Sequence, residues 1–319
     1  MKTAPDKQMM EYRQLGRTDL SVSILGYGTG PLGGAYGLVD PEEAKRAVHL
    51  AIDQGINFFD SSPYYGLTLS EQRLGDALLG KRDKVILATK CGRYGLTDFD
   101  FSAKRIIASI DESLQRLKTD YLDLFQVHDV EFGDFRQIVD ETLPSLRKIQ
   151  QQGKARFIGI TGYPLGMLMR IAEQVPVDTI LSYCHYNLMS TEMDRELTPF
   201  AGARGIGLIN ASGLHMGILT ERGAPDWHPA PAIVKDAAKI AAEVCRRHGK
   251  DISRVAIRFC LDHPSVSTTL VGMANREEVK SNLQLLHEQS DPQLLAEIRQ
   301  AVSPAFNFAW PSGKPENHD

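Results

Sequence analysis

Short apolar runs recur along this chain with helix-periodic segments between them, and no other feature restricts the fold as much. The runs span residues 24–28, 56–59, 85–89, 122–127, 156–160, 179–183, 206–209 and 268–271. Each has the length and apolar content of a buried strand rather than of a helix. Between the first two, PEEAKRAVHLAIDQG puts Pro41 where a first helical turn tolerates it, acids just behind, and Gly55 as terminator. In SAKRIIASIDESLQRLKTD, Ser102 is a candidate N-cap, and Ile106, Ile110, Leu114 and Leu117 recur at helical spacing.

Strands alternating with helices pair in parallel through right-handed crossovers. Eight such units favour closure into a barrel, because an open sheet more often holds about five to seven strands. No Pro/Gly/Ser linker divides the chain. The expected fold is α/β, a single (β/α)8 TIM barrel over residues 1–319. Residues before Ile24 form an expected N-terminal lid, and those after Glu288 a C-terminal helix and tail. From Ala211 to about Ala232 a Gly- and Pro-rich stretch reads as a long loop after the seventh strand, a lid carrying Trp227 and His228.

Composition narrows the partners. A formal net charge of −4 supplies no basic field for nucleic acid or an anionic membrane. No apolar run approaches the ~18 residues of a membrane span, and the opening residues hold no signal-peptide pattern. Cys91, Cys184, Cys245 and Cys260 are scattered, so they read as reduced thiols of a cytoplasmic protein, monomer or homodimer. His128, His185, His215 and His228 are dispersed and no H-E-x-x-H occurs, so no metal is expected.

The chemistry gathers at strand ends. The second, third and fourth runs end at Asp60, Lys90 and His128, and Tyr65 follows Asp60 closely. In an α/β barrel the C-terminal strand ends converge on one mouth. Singly, each residue has an ordinary reading as a loop cap, a surface lysine or a rim histidine; together, at equivalent positions, they point to one site. A phenol ionises near pKa ~10, and a cationic Lys90 beside Tyr65 is expected to lower that value, with Asp60 keeping Lys90 charged. His128 would hydrogen-bond the same substrate oxygen. Such a group moves a proton at a carbinol or carbonyl oxygen, and the accompanying hydride needs a nicotinamide. GYGTG at 26–30 is not G-x-G-x-x-G, so a Rossmann site is not expected. A Schiff-base aldolase with Lys90 as nucleophile is the alternative chemistry, but it needs a neutral amine and Asp60 opposes that.

FFDSSPYYG, ILATKCGRYG and LFQVHD resemble the signature blocks of the aldo-keto reductase superfamily, with LGRTDLSVSILGYGTGPLG and LVGMANREEVKSNL in support. The resemblance implies an Asp60, Tyr65, Lys90, His128 tetrad with Tyr65 as general acid-base, and an extended nicotinamide cofactor. It implies cofactor contacts from Gly28, Thr29, Asp60, Thr161, Tyr183, Ser212, Leu214, Gly217, Gly272, Glu278 and Asn282. SPYYGLTLSEQRLG, ILSYCHYN, WHPA and WPSG are similar to the sugar 1-dehydrogenase branch that includes the L-galactose-oxidising enzymes of plants. That branch implies oxidation of the C1 hydroxyl of L-galactose, or a close aldose such as L-fucose or D-arabinose, to the lactone. Where the wider superfamily commonly has Ser-Asn, Gln and a stacking Tyr, this chain has Thr161-Gly162, Tyr183 and Ala211. Gly272 and Glu278 stand where phosphate-binding members often place Lys and Arg, and a carboxylate there repels a 2′-phosphate, so the expected coenzyme is NAD. Tyr64, Arg93, Tyr94, Asp129 and His185 are candidate contacts to sugar hydroxyls, and Trp227 to the sugar's C–H face. Alternatives within the superfamily are an NADPH-dependent carbonyl reductase and a regulatory subunit of the potassium-channel β type.

Overall fold

The computed structural model describes residues 10–35 and 37–318. A hairpin of β1 (Tyr12–Gln14) and β2 (Ser21–Ser23) precedes eight parallel strands. These are β3 (Leu25–Gly28), β4 (Phe58–Asp60), β5 (Ile86–Cys91), β6 (Leu122–Val127), β7 (Ala155–Gly162), β8 (Thr179–Tyr183), β9 (Gly207–Ala211) and β10 (Thr268–Gly272). They close in sequence order, β10 pairing with β3 through Thr269 and Leu25. All eight expected runs are barrel strands.

The helices wrap the outside. They are α1 (Pro41–Asp53), α2 (Leu69–Leu78), α3 (Ala103–Leu117), the short α4 (Phe135–Gln137), α5 (Leu143–Gln151) and α6 (Leu165–Gln174), followed by α7 (Leu197–Arg204), α8 (Ala232–Arg247), α9 (Ile252–Leu261), α10 (Arg276–Gln284) and α11 (Pro292–Val302). Their starts follow the capping chemistry of the sequence. The Asp40 carboxylate accepts the Glu42 N–H ahead of Pro41, and the Ser102 hydroxyl accepts the Arg105 N–H. Ile106, Ile110, Leu114 and Leu117 form the buried stripe of α3. A second apolar cluster joins α8, α9 and α11 to Ile218 and Leu219 of the long loop and to Trp310 of the tail. Ile218 and Leu219 thus anchor the early part of the loop in this cluster, while Trp227 further on is exposed. Among the described residues, no helix is long and apolar enough to cross a membrane.

Inside the barrel, Phe58, Ala88, Leu124, Leu181, Ile209 and Leu270 form an apolar floor with Leu15, Leu20 and Val22 of the hairpin. The hairpin is tied to residues that precede strands. Arg17 N–H donates to the Gly205 carbonyl at 2.8 Å, Ser23 N–H to Asn57 Oδ1 at 2.7 Å, and Arg13 to the Val266 carbonyl at 2.8 Å. The N-terminal segment thus covers the bottom of the barrel, the end away from the strands' C-termini. The first nine residues of the expected lid lie outside the described residues.

Helices α2 and α3 touch backbone to backbone at Gly75. A Cβ there would fall 2.9 Å from the Leu117 Cα and nearer still to the Arg116 carbonyl. Gly75→Ala should destabilise the fold by about 1–3 kcal/mol through overpacking, although alanine is the better helix former. Urea denaturation checks this; an unchanged or raised midpoint would show that α2 can move off α3 at little cost.

Candidate active site

Side chains on a strand alternate between its two faces, so a residue two beyond a floor residue also points inward. Phe58 is followed in this way by Asp60, Ala88 by Lys90, Leu124 by Gln126 and then His128, and Leu181 by Tyr183. The period that builds the apolar floor therefore stacks a polar layer on it, at the strand ends. Lys90 and Asp60 are each only 1% exposed.

The Lys90 ammonium is fully engaged. It donates to Asp60 Oδ1 in a tight ion pair, to the Ser61 carbonyl at 2.8 Å and to Tyr65 Oη at 3.1 Å. Gln126 Nε2 donates to the second Asp60 oxygen at 2.9 Å. Behind it, the Thr29 hydroxyl donates to the Asp60 carbonyl at 3.0 Å, and Ser70 Oγ lies 2.7 Å from Thr29 Oγ1. Thr29 thus braces the end of β4. The His128 ring stands edge-on to Tyr65 with centroids 5.8 Å apart.

Burial works against the Lys90 ammonium, but the Asp60 charge, Tyr65 and their hydrogen bonds outweigh it and hold its pKa above the ordinary lysine value. The same burial sets Tyr65 differently from the sequence expectation. Its phenol is pushed up to about 12, because desolvation exceeds the opposing pull of Lys90, and the Asp60 charge adds to the rise. In this environment Tyr65 is a neutral acid, not a ready phenolate. Burial drives His128 down to about 3, with Lys90 and Arg93 adding to the fall against Asp129, so the imidazole is neutral. An ammonium held this firmly by Asp60 is no Schiff-base nucleophile.

The other candidates divide. Arg93 pairs tightly with Asp129 and lies 3.8 Å over the Tyr64 ring, and Tyr64 stands 5.9 Å from the His128 ring, so these three frame the mouth beside the tetrad. Tyr94 is not brought there: its ring lies under Arg105 of α3, and its hydroxyl accepts the Gly92 N–H at 3.1 Å. His185 is buried like His128, with its ring 4.5 Å from Tyr163 and its Nε2 without a hydrogen-bond partner among the described residues. Trp227 is 56% exposed and stacks on His228 rather than on a tetrad side chain. Glu278 Oε2 accepts the Ala274 N–H at 2.7 Å at the start of α10, and Arg276 is held by Glu43 of α1 at 2.9 Å. All four cysteines are buried; desolvation raises the thiols of Cys91 and Cys184 well above the ordinary value, which makes them unreactive. Among the described residues no group of His, Cys, Asp and Glu is placed to hold a metal ion.

The Aldo/keto reductase family model matches residues 24–303. This chain belongs to the aldo/keto reductase family. It is 46% identical to the L-galactose dehydrogenase of Arabidopsis thaliana over 97% of this chain and 99% of that one. It is 32% identical to the D-arabinose 1-dehydrogenase of Saccharomyces cerevisiae over 84% of this chain and 87% of that one. An aldo-keto reductase of Bacillus halodurans, solved in its holo form, superposes with a TM-score of 0.78 at 28% identity, covering 97% of this chain and 100% of its own.

The aldo/keto reductases use a nicotinamide cofactor, and the residues present fit one. The polar layer can handle a proton but contains no hydride carrier. Tyr183 and Ala211 are paired neighbours at the ends of β8 and β9, so a large and a small side chain stand side by side at the mouth. Ser212, His215 and Met216 adopt left-handed backbone conformations in the loop that follows, a strained arrangement typical of ligand clamps. Leu214 and Gly217 belong to the same loop, with the Gly217 N–H donating to the Leu214 carbonyl at 3.0 Å. Thr161 Oγ1 accepts the Asp129 N–H at 3.1 Å, Gly28 and Gly272 pair across β3 and β10, and Asn282 is buried on α10.

Sequence reasoning missed three polar residues here. Gln126 shares the inward face of His128 and was findable from the period of two. Ser62 reaches His128 Nδ1 at 3.0 Å from a loop with no periodic signal. Glu131 is a fully buried carboxyl in the rim loop; Tyr183 Oη donates to its Oε1 at 2.9 Å, Ser312 of the tail at 3.2 Å, and the Tyr163 N–H at 3.2 Å. Desolvation raises it to about 8, and the Asp129 charge adds to the rise. Unfolded, it ionises near 4.5, so the stability it contributes is full below that pH and is lost as the pH rises through about 8. Glu131→Gln keeps the neutral form's shape and should flatten the fall of Tm between about pH 5 and 8. Parallel Tm-against-pH curves for the two proteins would overturn the assignment.

Proposed function

We propose that this protein oxidises the C1 hydroxyl of L-galactose, or of a closely related aldose such as L-fucose or D-arabinose, to the lactone, with NAD as acceptor and Tyr65 as general acid-base. The observation that carries the reading is the 3.1 Å contact of Lys90 Nζ with Tyr65 Oη at the barrel mouth, in a chain 46% identical to an L-galactose dehydrogenase. Bound nicotinamide supplies the hydride acceptor. The protein's own groups handle the proton. Tyr65, as the phenolate that the fixed Lys90 ammonium stabilises, takes it from the C1 hydroxyl and becomes the phenol. Neutral His128 donates an N–H to the same oxygen. The Arg93–Asp129 pair leaning on Tyr64 offers a fixed donor and acceptor to neighbouring hydroxyls of a neutral sugar.

Coenzyme choice follows from α10. Glu278 presents a carboxylate where a 2′-phosphate would approach, and the neighbouring cations that would offset it, Arg276 and Lys280, are paired with Glu43 and Glu277. NAD should therefore be preferred, and Glu278→Gln should narrow the NAD-to-NADP ratio of kcat/KM. A wild-type preference for NADP would sink this part of the reading.

A second reading, carbonyl reduction with NADPH, is favoured by one observation: a phenol with a pKa of about 12 is better prepared to give a proton than to take one. Initial rates with NAD plus the three sugars, against NADPH plus a simple aldehyde, separate the two. For the oxidation, the reactive phenolate fraction of the free enzyme grows with pH up to about 12, so log kcat/KM should climb through the neutral and mildly alkaline range without levelling. Tyr65→Phe should lose about 10²–10⁴-fold in kcat and abolish that slope. A plateau near neutrality in the wild type, or an active Tyr65→Phe protein, would remove Tyr65 from its role.

A further inference from the structure

Ser62 lies in the loop between β4 and α2 and is fully buried. Its Oγ accepts the Tyr64 N–H at 3.1 Å and stands 3.0 Å from His128 Nδ1. A serine hydroxyl has one proton to give and two lone pairs. Were Nδ1 the donor, both Oγ lone pairs would be taken and the buried hydroxyl proton would have no acceptor among the described residues, so the proton goes to Nδ1. Nδ1 must then accept, which leaves the ring proton on Nε2.

We propose that Ser62 is a positioning residue that fixes His128 in the Nε2–H tautomer and aims that N–H at the substrate oxygen. The remaining surroundings of the ring agree. The nearest carboxylate to Nε2 is Asp129 Oδ1 at 3.7 Å, and the Tyr64 and Tyr65 rings flank the imidazole at 5.9 and 5.8 Å. Lys90 and Arg93 disfavour a second proton on the ring, as does burial, so the choice between tautomers is the one property left open. Ser62 closes it. The tetrapeptide Ser62-Pro63-Tyr64-Tyr65 consequently sets both hydrogen-bonding groups of the site: it carries the phenol and dictates which imidazole nitrogen donates. A flipped tautomer would direct a lone pair at the substrate oxygen and repel it.

The inference rests on the proposed role of His128 at the reacting oxygen, yet its first measurement needs no turnover. Histidine-selective 15N labelling of the intact protein, with the His128 signals identified by their loss in His128→Gln, reports the tautomer directly. The wild type should show a neutral ring protonated at Nε2 alone. Ser62→Ala should show a mixture or the Nδ1–H form with its Tm little changed, and Ser62→Thr, which restores the hydroxyl, should recover the single tautomer. In parallel, kcat should fall at least about tenfold in Ser62→Ala with KM affected less, and Ser62→Thr should regain most of it. An Nδ1–H wild type, an Ser62→Ala protein that keeps the Nε2–H form, or a kcat unchanged by Ser62→Ala overturns the proposal. If no sugar or carbonyl is turned over by the wild type, the dehydrogenase reading fails separately, and the nitrogen spectra alone decide the tautomer.

Discussion

The ion pair between Lys90 and Asp60 is the constraint around which this molecule is arranged. Both groups are buried, and taking such ions out of water costs several kcal/mol each before their attraction is counted. The cost is met because all three ammonium protons and both carboxylate oxygens have partners: Gln126 donates to the second carboxylate oxygen, and the Ser61 carbonyl and Tyr65 accept from the ammonium. Removing either partner would leave a bare charge on an apolar floor, a change typically worth about 3–5 kcal/mol. The bracing by Thr29 and Ser70 behind Asp60 belongs to the same requirement, because the pair is tolerable only in one geometry.

This pair also governs the chemistry above it, in two opposed ways. Asp60 keeps Lys90 protonated, which favours a phenolate on Tyr65, yet its own charge lies near enough to disfavour one. With desolvation added, the second effect prevails and the resting site stores its proton on the tyrosine. His128 is held neutral by the same burial and the same cations. The centre is thus poised with two neutral hydrogen-bond donors facing outward over one buried cation. On the proposed reading, such an arrangement stabilises negative charge on a substrate oxygen placed between them in either direction of reaction.

The rim is tied together by elements far apart in sequence. The tail after α11 returns to the loop after β6, where Lys314 N–H and Asn317 Nδ2 both donate to the Glu131 carbonyl at 2.9 Å. Trp310 stacks on Tyr163, whose ring neighbours Tyr183 and His185. Asp129, adjacent to His128, holds a left-handed backbone conformation that costs about 1–3 kcal/mol in a non-glycine residue, and its pairing with Arg93 and the Thr161 contact hold it there. Strain, a buried acid and the tail converge on one side of the mouth, the side where Arg93 and Tyr64 stand.

Much of this was written in local pattern. The eight strands, the caps at Asp40 and Ser102, and the inward aim of Asp60, Lys90 and His128 follow from periods of two and 3.6 residues and from capping chemistry, all of which act over a few positions. What the pattern could not contain was environment. Whether Tyr94 turns to the mouth or under Arg105, whether His185 packs on Tyr163, which end of the barrel the hairpin closes, and whether Tyr65 is raised or lowered all depend on residues from about ten to hundreds of positions away. The reason is that side-chain direction along a strand is a local property of the backbone. Desolvation and charge are set by everything the fold brings around a group, and those neighbours exist only once the barrel has closed.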